Sequence, residues 1–270
     1  MDLDKITNIS NNFLKRFYSI LFLIPIYFYS VISKHYLSTL IIFITSLILS
    51  FEWFKITQKY IEKKNIILFS FLIFLNIFIS TLISFFYSIF VTLIFLFLIL
   101  SKIFFKKYSF KNLSWLFYGF VYITIPLIIF LQIKKIDDGN YILLWVLIII
   151  CITDIFSYIF GNLIKGPKIF PNLSPSKTYS GTFLGIVCGS FFGVIYSLNY
   201  LNLDNKYILI LFSVVISLSG LFGDLFMSKI KRNFHVKDSG SILPGHGGFL
   251  DRYDSISFGL IAIFFIQYFL

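Results

Sequence analysis

Charge is what this chain lacks most. Only 13% of its residues are Asp, Glu, Lys or Arg, about half the share found in a soluble domain. No polar stretch is long enough to build a water-soluble fold, which excludes a soluble globular protein. Acids are the rarest charges: twelve in all, with Glu52 and Glu62 the only glutamates. Cysteine is confined to Cys151 and Cys188. Both lie in apolar runs without metal-ligand spacing, so neither a zinc motif nor a disulfide framework is indicated, and they read as small packing residues. Internal repeats and low-complexity linkers are absent. So is any basic run interleaved with aromatics in a soluble module, and the net charge of +11 therefore does not point to nucleic acid. No small-residue cleavage site follows Lys15 and Arg16, and the first apolar run reads as an uncleaved span.

What fills the chain is hydrophobic sequence, 58% of residues with a mean hydropathy of +0.90. Apolar runs recur from end to end, and about 20 apolar residues cross a bilayer as a helix. Spans are expected near Phe17–Ser33, Tyr36–Phe51, Asn112–Leu131, Tyr141–Phe160, Gly181–Tyr200, Lys206–Ile230 and Tyr253–Leu270. The run from Ile66 to Leu100 is too long for one crossing and must hold two spans turning near Ser80–Ser84, although no Gly or Pro marks the turn. Charge supports the split. With the N-terminus in the cytoplasm, all but four of the 23 Lys and Arg residues (Lys34, Lys134, Lys135 and Lys206) fall inside, as the positive-inside rule requires. The expected fold is an all-α polytopic membrane protein of about nine transmembrane helices with a cytoplasmic N-terminus. Residues 1–140 would supply plain N-terminal spans. Residues 141–270 would form a motif-bearing catalytic region with two polar cytoplasmic loops, Gly161–Ser180 and Lys229–Arg252.

Chemistry has few places to reside. Glu52 and Glu62 sit among lysines and read as solvated loop charges; Asp2, Asp4, Asp137, Asp138 and Asp204 belong to tails or outer loops. Asp224 differs, because Leu221-Phe222-Gly223 precedes it and Leu225-Phe226-Met227 follows. A carboxylate inside a span is costly unless paired or bound to a cation, so function is its default reading. Ser228 and Lys231 share its helical face; the plainer alternative is an Asp neutralised by Lys231 for packing. Gly220 and Gly223, nearly one turn apart, would let a helix or ligand approach closely. Asp154 is a second intramembrane acid, with Tyr158 one turn along.

Asp251 and Asp254 stand one turn apart at the entry to the last span. Each fits a helix cap as well as a divalent cation shared with Asp224. Between them and Asp224 lies Pro244-Gly245-His246-Gly247-Gly248, which cannot be regular helix. Its glycines permit positive φ and bare N–H groups, the makings of an anion-binding nest. Lys231, Arg232, Lys237 and Arg252 surround it as phosphate partners. The other loop, Asn172 to Gly181, offers hydroxyls and Lys177 ahead of a helix N-terminus, either a phosphate perch or a simple cap. Metal ligands, a phosphate cradle and lipid exposure together point to phosphoryl or nucleotidyl transfer to a membrane lipid.

The stretch Ser228-x-Ile230-Lys231-Arg232, Lys237-Asp238-x-Gly240 and Leu243-Pro244-x-His246-Gly247-Gly248-Phe249-x-Asp251-Arg252-x-Asp254 resembles the signature of bacterial phosphatidate cytidylyltransferases. Tyr253 departs mildly from that signature. Asp154…Tyr158…Gly161 and Ser174-Pro175-Ser176-Lys177-Thr178 resemble it more loosely, with departures at Asn162, Tyr179 and Ser180. The resemblance implies conversion of CTP and phosphatidic acid to CDP-diacylglycerol and pyrophosphate with Mg²⁺, as one ion or two. It also implies a homodimer in the bacterial cytoplasmic membrane, its site facing the cytoplasm. On this resemblance Asp224, Asp251, Asp254 and Asp238 are the expected metal ligands, and Asp224, Asp251, Lys231 and His246 the catalytic groups. Ser228, Arg232, Lys237, Gly247, Gly248, Arg252 and Lys177 are expected to bind substrate phosphates. A CTP-dependent polyprenol or phytol kinase and a cation transporter are the alternatives.

Overall fold

A computed structural model describes residues 25, 27–58, 64–82, 85–104, 110–171, 173–201, 205–242 and 247–266. In chain order the elements are α1 (His35–Thr57), α2 (Lys64–Leu82), α3 (Phe85–Phe104), α4 (Phe110–Ile133), α5 (Gly139–Ile164), β1 (Lys168–Phe170), β2 (Ser174–Thr178), α6 (Tyr179–Tyr200), α7 (Lys206–Asn233) and α8 (Leu250–Ile266). A helical stretch at 27–32 precedes them. Among the described residues, five helices are long and apolar enough to cross a membrane: α1, the 114–133 part of α4, α5, α6 and α7. The protein is an all-α membrane protein. The long apolar run does divide, into α2 and α3.

One element was not legible in the sequence. Strands β1 and β2 form an antiparallel hairpin with Lys168 opposite Thr178 and Phe170 opposite Ser174. Helix α5 stops where Lys165 turns left-handed at φ 49 and returns its N–H to Gly161 O at 3.3 Å. Pro167, Pro171 and Pro175 then keep the chain out of helix. Helix resumes at α6, where the Thr178 hydroxyl accepts from Gly181 N at 3.2 Å, an N-cap that satisfies an orphan donor.

The chain forms two compact units. The first comprises Met1–Val121 with Val236–Arg252. Its helix α1 passes the expected end at Phe51 and continues to Thr57, because Trp53, Phe54 and Ile56 are buried. The Trp53 indole N–H donates to Trp115 O at 3.1 Å, and Gly119 leaves room for the ring. The extension carries Glu52 inward, where it is 1% exposed. Its reading as a solvated loop charge is therefore wrong; Glu62 lies outside the described residues.

The second unit comprises Tyr122–His235 with Tyr253–Leu270. Gly181, Gly185, Gly189 and Gly193 recur every fourth residue and line one face of α6 against Ile149, Thr153, Ser157 and Gly161 of α5. Small residues at this spacing let membrane helices touch backbone to backbone. A Cβ on Gly181 would lie 2.5 Å from Ser157 O, and one on Gly185 2.7 Å from Thr153 O. The Trp145 indole N–H donates to Gly193 O at 2.8 Å, and the Thr153 and Ser217 hydroxyls meet at 2.8 Å. Because backbone cannot retreat as a side chain can, Gly185→Val should destabilise the protein by ~3 kcal/mol or more. Thermal unfolding in detergent measures it, and an unchanged transition would mean that α5 and α6 do not meet there.

Candidate active site

In the second unit the intramembrane acid of α7 finds its counter-ion. Asp224 Oδ2 forms an ion pair with Lys177 Nζ, the two side chains 28% and 17% exposed. Lys177 reaches it from β2, so the hairpin is the device that delivers this cation. Asp224, Ser228 and Lys231 all belong to the continuous helix α7, where their spacing keeps them on one face. Ser228 is buried; Arg232 is exposed.

Helix α8 supplies a second carboxylate. Asp254 is 3% exposed, and its Oδ1 accepts Ser255 N at 2.9 Å. It interacts electrostatically with Asp224, Lys231 and Asp154, although among the described residues no three acidic, His or Cys side chains stand close enough together to hold a metal ion. The approach of α7 to α8 is made possible by the expected glycines. Gly223 lies directly against the Asp254 carbonyl, and a Cβ on Gly220 would stand 3.6 Å from Ser255 O. Tyr253, the mild departure from the signature, is 2% exposed and donates its hydroxyl to Ile123 O at 3.0 Å.

The rest of the motif lies in the first unit. Asp251 Oδ2 accepts two backbone N–H groups, from Ser239 and from Gly248, each at 2.9 Å. Of the two readings offered for Asp251, these bonds are of the capping kind. Gly247 adopts φ +86, and a Cβ there would stand 2.6 Å from Asp251 Oδ2 and 3.0 Å from Asp238 Cβ. The positive φ expected of this stretch is thus present at Gly247. Lys237, Asp238 and Arg252 are exposed. His246 lies outside the described residues, with Leu243, Pro244 and Gly245.

Sequence reasoning missed a participant. Glu52 Oε1 accepts Phe249 N at 2.9 Å, while its Oε2 accepts Leu250 N at 2.8 Å and the Ser239 hydroxyl at 3.0 Å. The available signal was its flanks, Phe51 before it and Trp53-Phe54 after it, which mark Glu52 as part of an apolar helix rather than a loop. With Asp251 it takes up the N–H groups of Gly248, Phe249 and Leu250 in succession, at the entry to α8, where helix donors lack intrahelical partners.

The sequence profile of the cytidylyltransferase family matches residues 14–270. The chain belongs to that family. Among its curated relatives in the cytidylyltransferase family, a phosphatidate cytidylyltransferase of Staphylococcus epidermidis is 38% identical over 172 residues, covering 63% of this chain and 64% of the relative. One of Rickettsia felis is 35% identical over 166 residues, or 59% of this chain and 73% of the relative. One of Helicobacter pylori is 40% identical over 134 residues, half of each chain. The chain thus matches 64% of the length of its staphylococcal relatives.

Proposed function

We propose that this cytidylyltransferase-family protein is a phosphatidate cytidylyltransferase, converting CTP and phosphatidic acid to CDP-diacylglycerol and pyrophosphate. The observation that carries the reading is the ion pair of Asp224 with Lys177 of the hairpin, beside buried Asp254 and with Lys231 on the same helix as Asp224, in a membrane protein. The names of its relatives support it. A phosphatidate oxygen forms a bond to the α-phosphorus of CTP. The bond from that phosphorus to the oxygen bridging to the β-phosphate breaks, and its electron pair leaves with pyrophosphate. Phosphate monoesters are mostly ionised at neutral pH, so the nucleophile needs no strong base. The protein's part is to position two polyanions and to offset their charge.

Lys177 and Lys231 are placed for that work, with Arg232 beside them in sequence. The donor set fits Mg²⁺. Asp224 and Asp254 offer hard carboxylate oxygens, and Mg²⁺ commonly takes one or two of these plus phosphate oxygens and water. When bound, the ion would neutralise charge on the phosphates of CTP; Asp224 and Asp254 would hold it. The reading includes about nine spans and a cytoplasmic N-terminus, from the distribution of Lys and Arg. It places the protein in the bacterial inner membrane as a homodimer with the site facing the cytoplasm, where CTP is available.

Purified protein given labelled CTP, Mg²⁺ and phosphatidic acid should yield CDP-diacylglycerol and pyrophosphate. Release of CDP with phosphorylation of a lipid alcohol would identify a kinase instead, and no turnover with either lipid would overturn the proposal.

A further inference from the structure

We propose that Glu52 is a positioning residue for the reaction, holding Ser239 and the segment 248–250 in the conformation that presents Asp251. The inference rests on the activity proposed above. Its basis is the unusual economy of the Glu52 contacts. The carboxylate is 1% exposed, yet among the described residues the three groups bonded to it, Phe249 N, Leu250 N and Ser239 Oγ, come from the motif loop. Leu250 opens α8 and Phe249 immediately precedes it, so the carboxylate sits at a helix N-terminus, where the helix dipole favours an anion. Glu52 is thereby an N-terminal capping group supplied from nearly two hundred residues away in the chain.

Two glycines of the motif are shaped to this carboxylate. A Cβ on Gly240 would stand 2.7 Å from Glu52 Oε1, and one on Gly248 2.7 Å from Glu52 Cδ. At Gly248, then, the missing side chain accommodates a protein carboxylate, and its N–H is given to Asp251. Ser239 links the two acids: its N–H donates to Asp251 Oδ2 and its hydroxyl to Glu52 Oε2. Movement of Glu52 is passed through Ser239 to the side chain of Asp251. A residue that served stability alone would have no need of that link.

The test uses the full-length protein in detergent. Glu52→Gln keeps the shape but removes the charge, and turns an amide N–H₂ towards one of the donors. It is expected to unfold near the wild-type temperature, to lose at least tenfold in kcat with the KM for CTP changed less than threefold, and to be cut faster by trypsin after Lys237. Glu52→Asp, which keeps the charge, should recover part of the kcat. Wild-type kcat in folded Glu52→Gln would overturn the inference, as would a loss of kcat with unaltered cleavage after Lys237. Should Glu52→Gln not fold, Ser239→Ala carries the test: it breaks only the hydroxyl link, and a wild-type kcat there would refute the proposal. The two readings fail separately. If wild-type protein makes no CDP-diacylglycerol, the proposed activity is wrong, whereas the trypsin comparison still reports whether Glu52 fixes the loop.

Discussion

Asp224→Asn should lose Mg²⁺-dependent formation of CDP-diacylglycerol by at least ~100-fold, about 2.7 kcal/mol of transition-state stabilisation. Asn is nearly isosteric, so the close packing at Gly223 is retained and helix α7 should persist. What disappears is the anion that pairs with Lys177 and, in the proposed reaction, holds the metal. Lys177 is 17% exposed and the Asn oxygen can still accept from it, so the change should cost the fold less than breaking a fully buried pair. Activity and stability should therefore separate: turnover collapses while the unfolding temperature falls slightly. Turnover assays beside thermal unfolding in detergent make the comparison, and near-normal turnover would remove Asp224 from the site.

Asp254→Asn should reduce turnover as severely but with the opposite effect on stability. Asp254 is buried and shares its surroundings with Asp224 and Asp154 as well as Lys231. Burying a charge among like charges costs stability. An amide relieves that repulsion while keeping an oxygen for Ser255 N. The variant is expected to unfold at the wild-type temperature or above it, yet to turn over at least ~100-fold more slowly. This combination is the mark of a group retained for chemistry at the expense of the fold. A variant that is both less stable and fully active would show Asp254 to be a structural cap.

The pattern of what sequence revealed follows from range. Asp224 was legible because its neighbours along the chain are apolar, and an acid amid Leu and Phe is conspicuous without any fold. Gly220 and Gly223 were legible for the same reason, and both face α8. The charge partner of Asp224 was harder. Lys231 was the nearest candidate in sequence, and the ion pair described for Asp224 is with Lys177, brought in by a hairpin that three prolines disguised as loop. Glu52 was misread because Lys55 and Lys59 follow it closely and suggest a solvated turn. Its donors at Ser239, Phe249 and Leu250 are remote in sequence, and no local pattern announces them. The glycines of α6 were present at a regular interval but lay outside the chemistry-bearing loops, where attention to charge does not reach.

Asp251 illustrates a limit of composition-based reasoning. Carboxylates at a helix start serve as caps or as ligands with equal ease, and only the bonds distinguish the uses. Two backbone N–H groups on Oδ2 give Asp251 a capping role whatever else it does. The carboxylate of Asp254, one turn on, accepts the N–H of its neighbour Ser255. The two acids thus stand in different surroundings although their motif spacing treats them alike.

The most direct measurement is the rate of CDP-diacylglycerol formation by wild type, Asp224→Asn and Asp254→Asn over a Mg²⁺ series at fixed CTP and phosphatidic acid. The expected result is a wild-type rate that rises with Mg²⁺ from near zero to a plateau, and rates near zero throughout for both variants. A wild-type rate indifferent to Mg²⁺, or either variant climbing to the same plateau at the same Mg²⁺ concentration, would contradict the central claim that these two carboxylates hold the metal for nucleotidyl transfer.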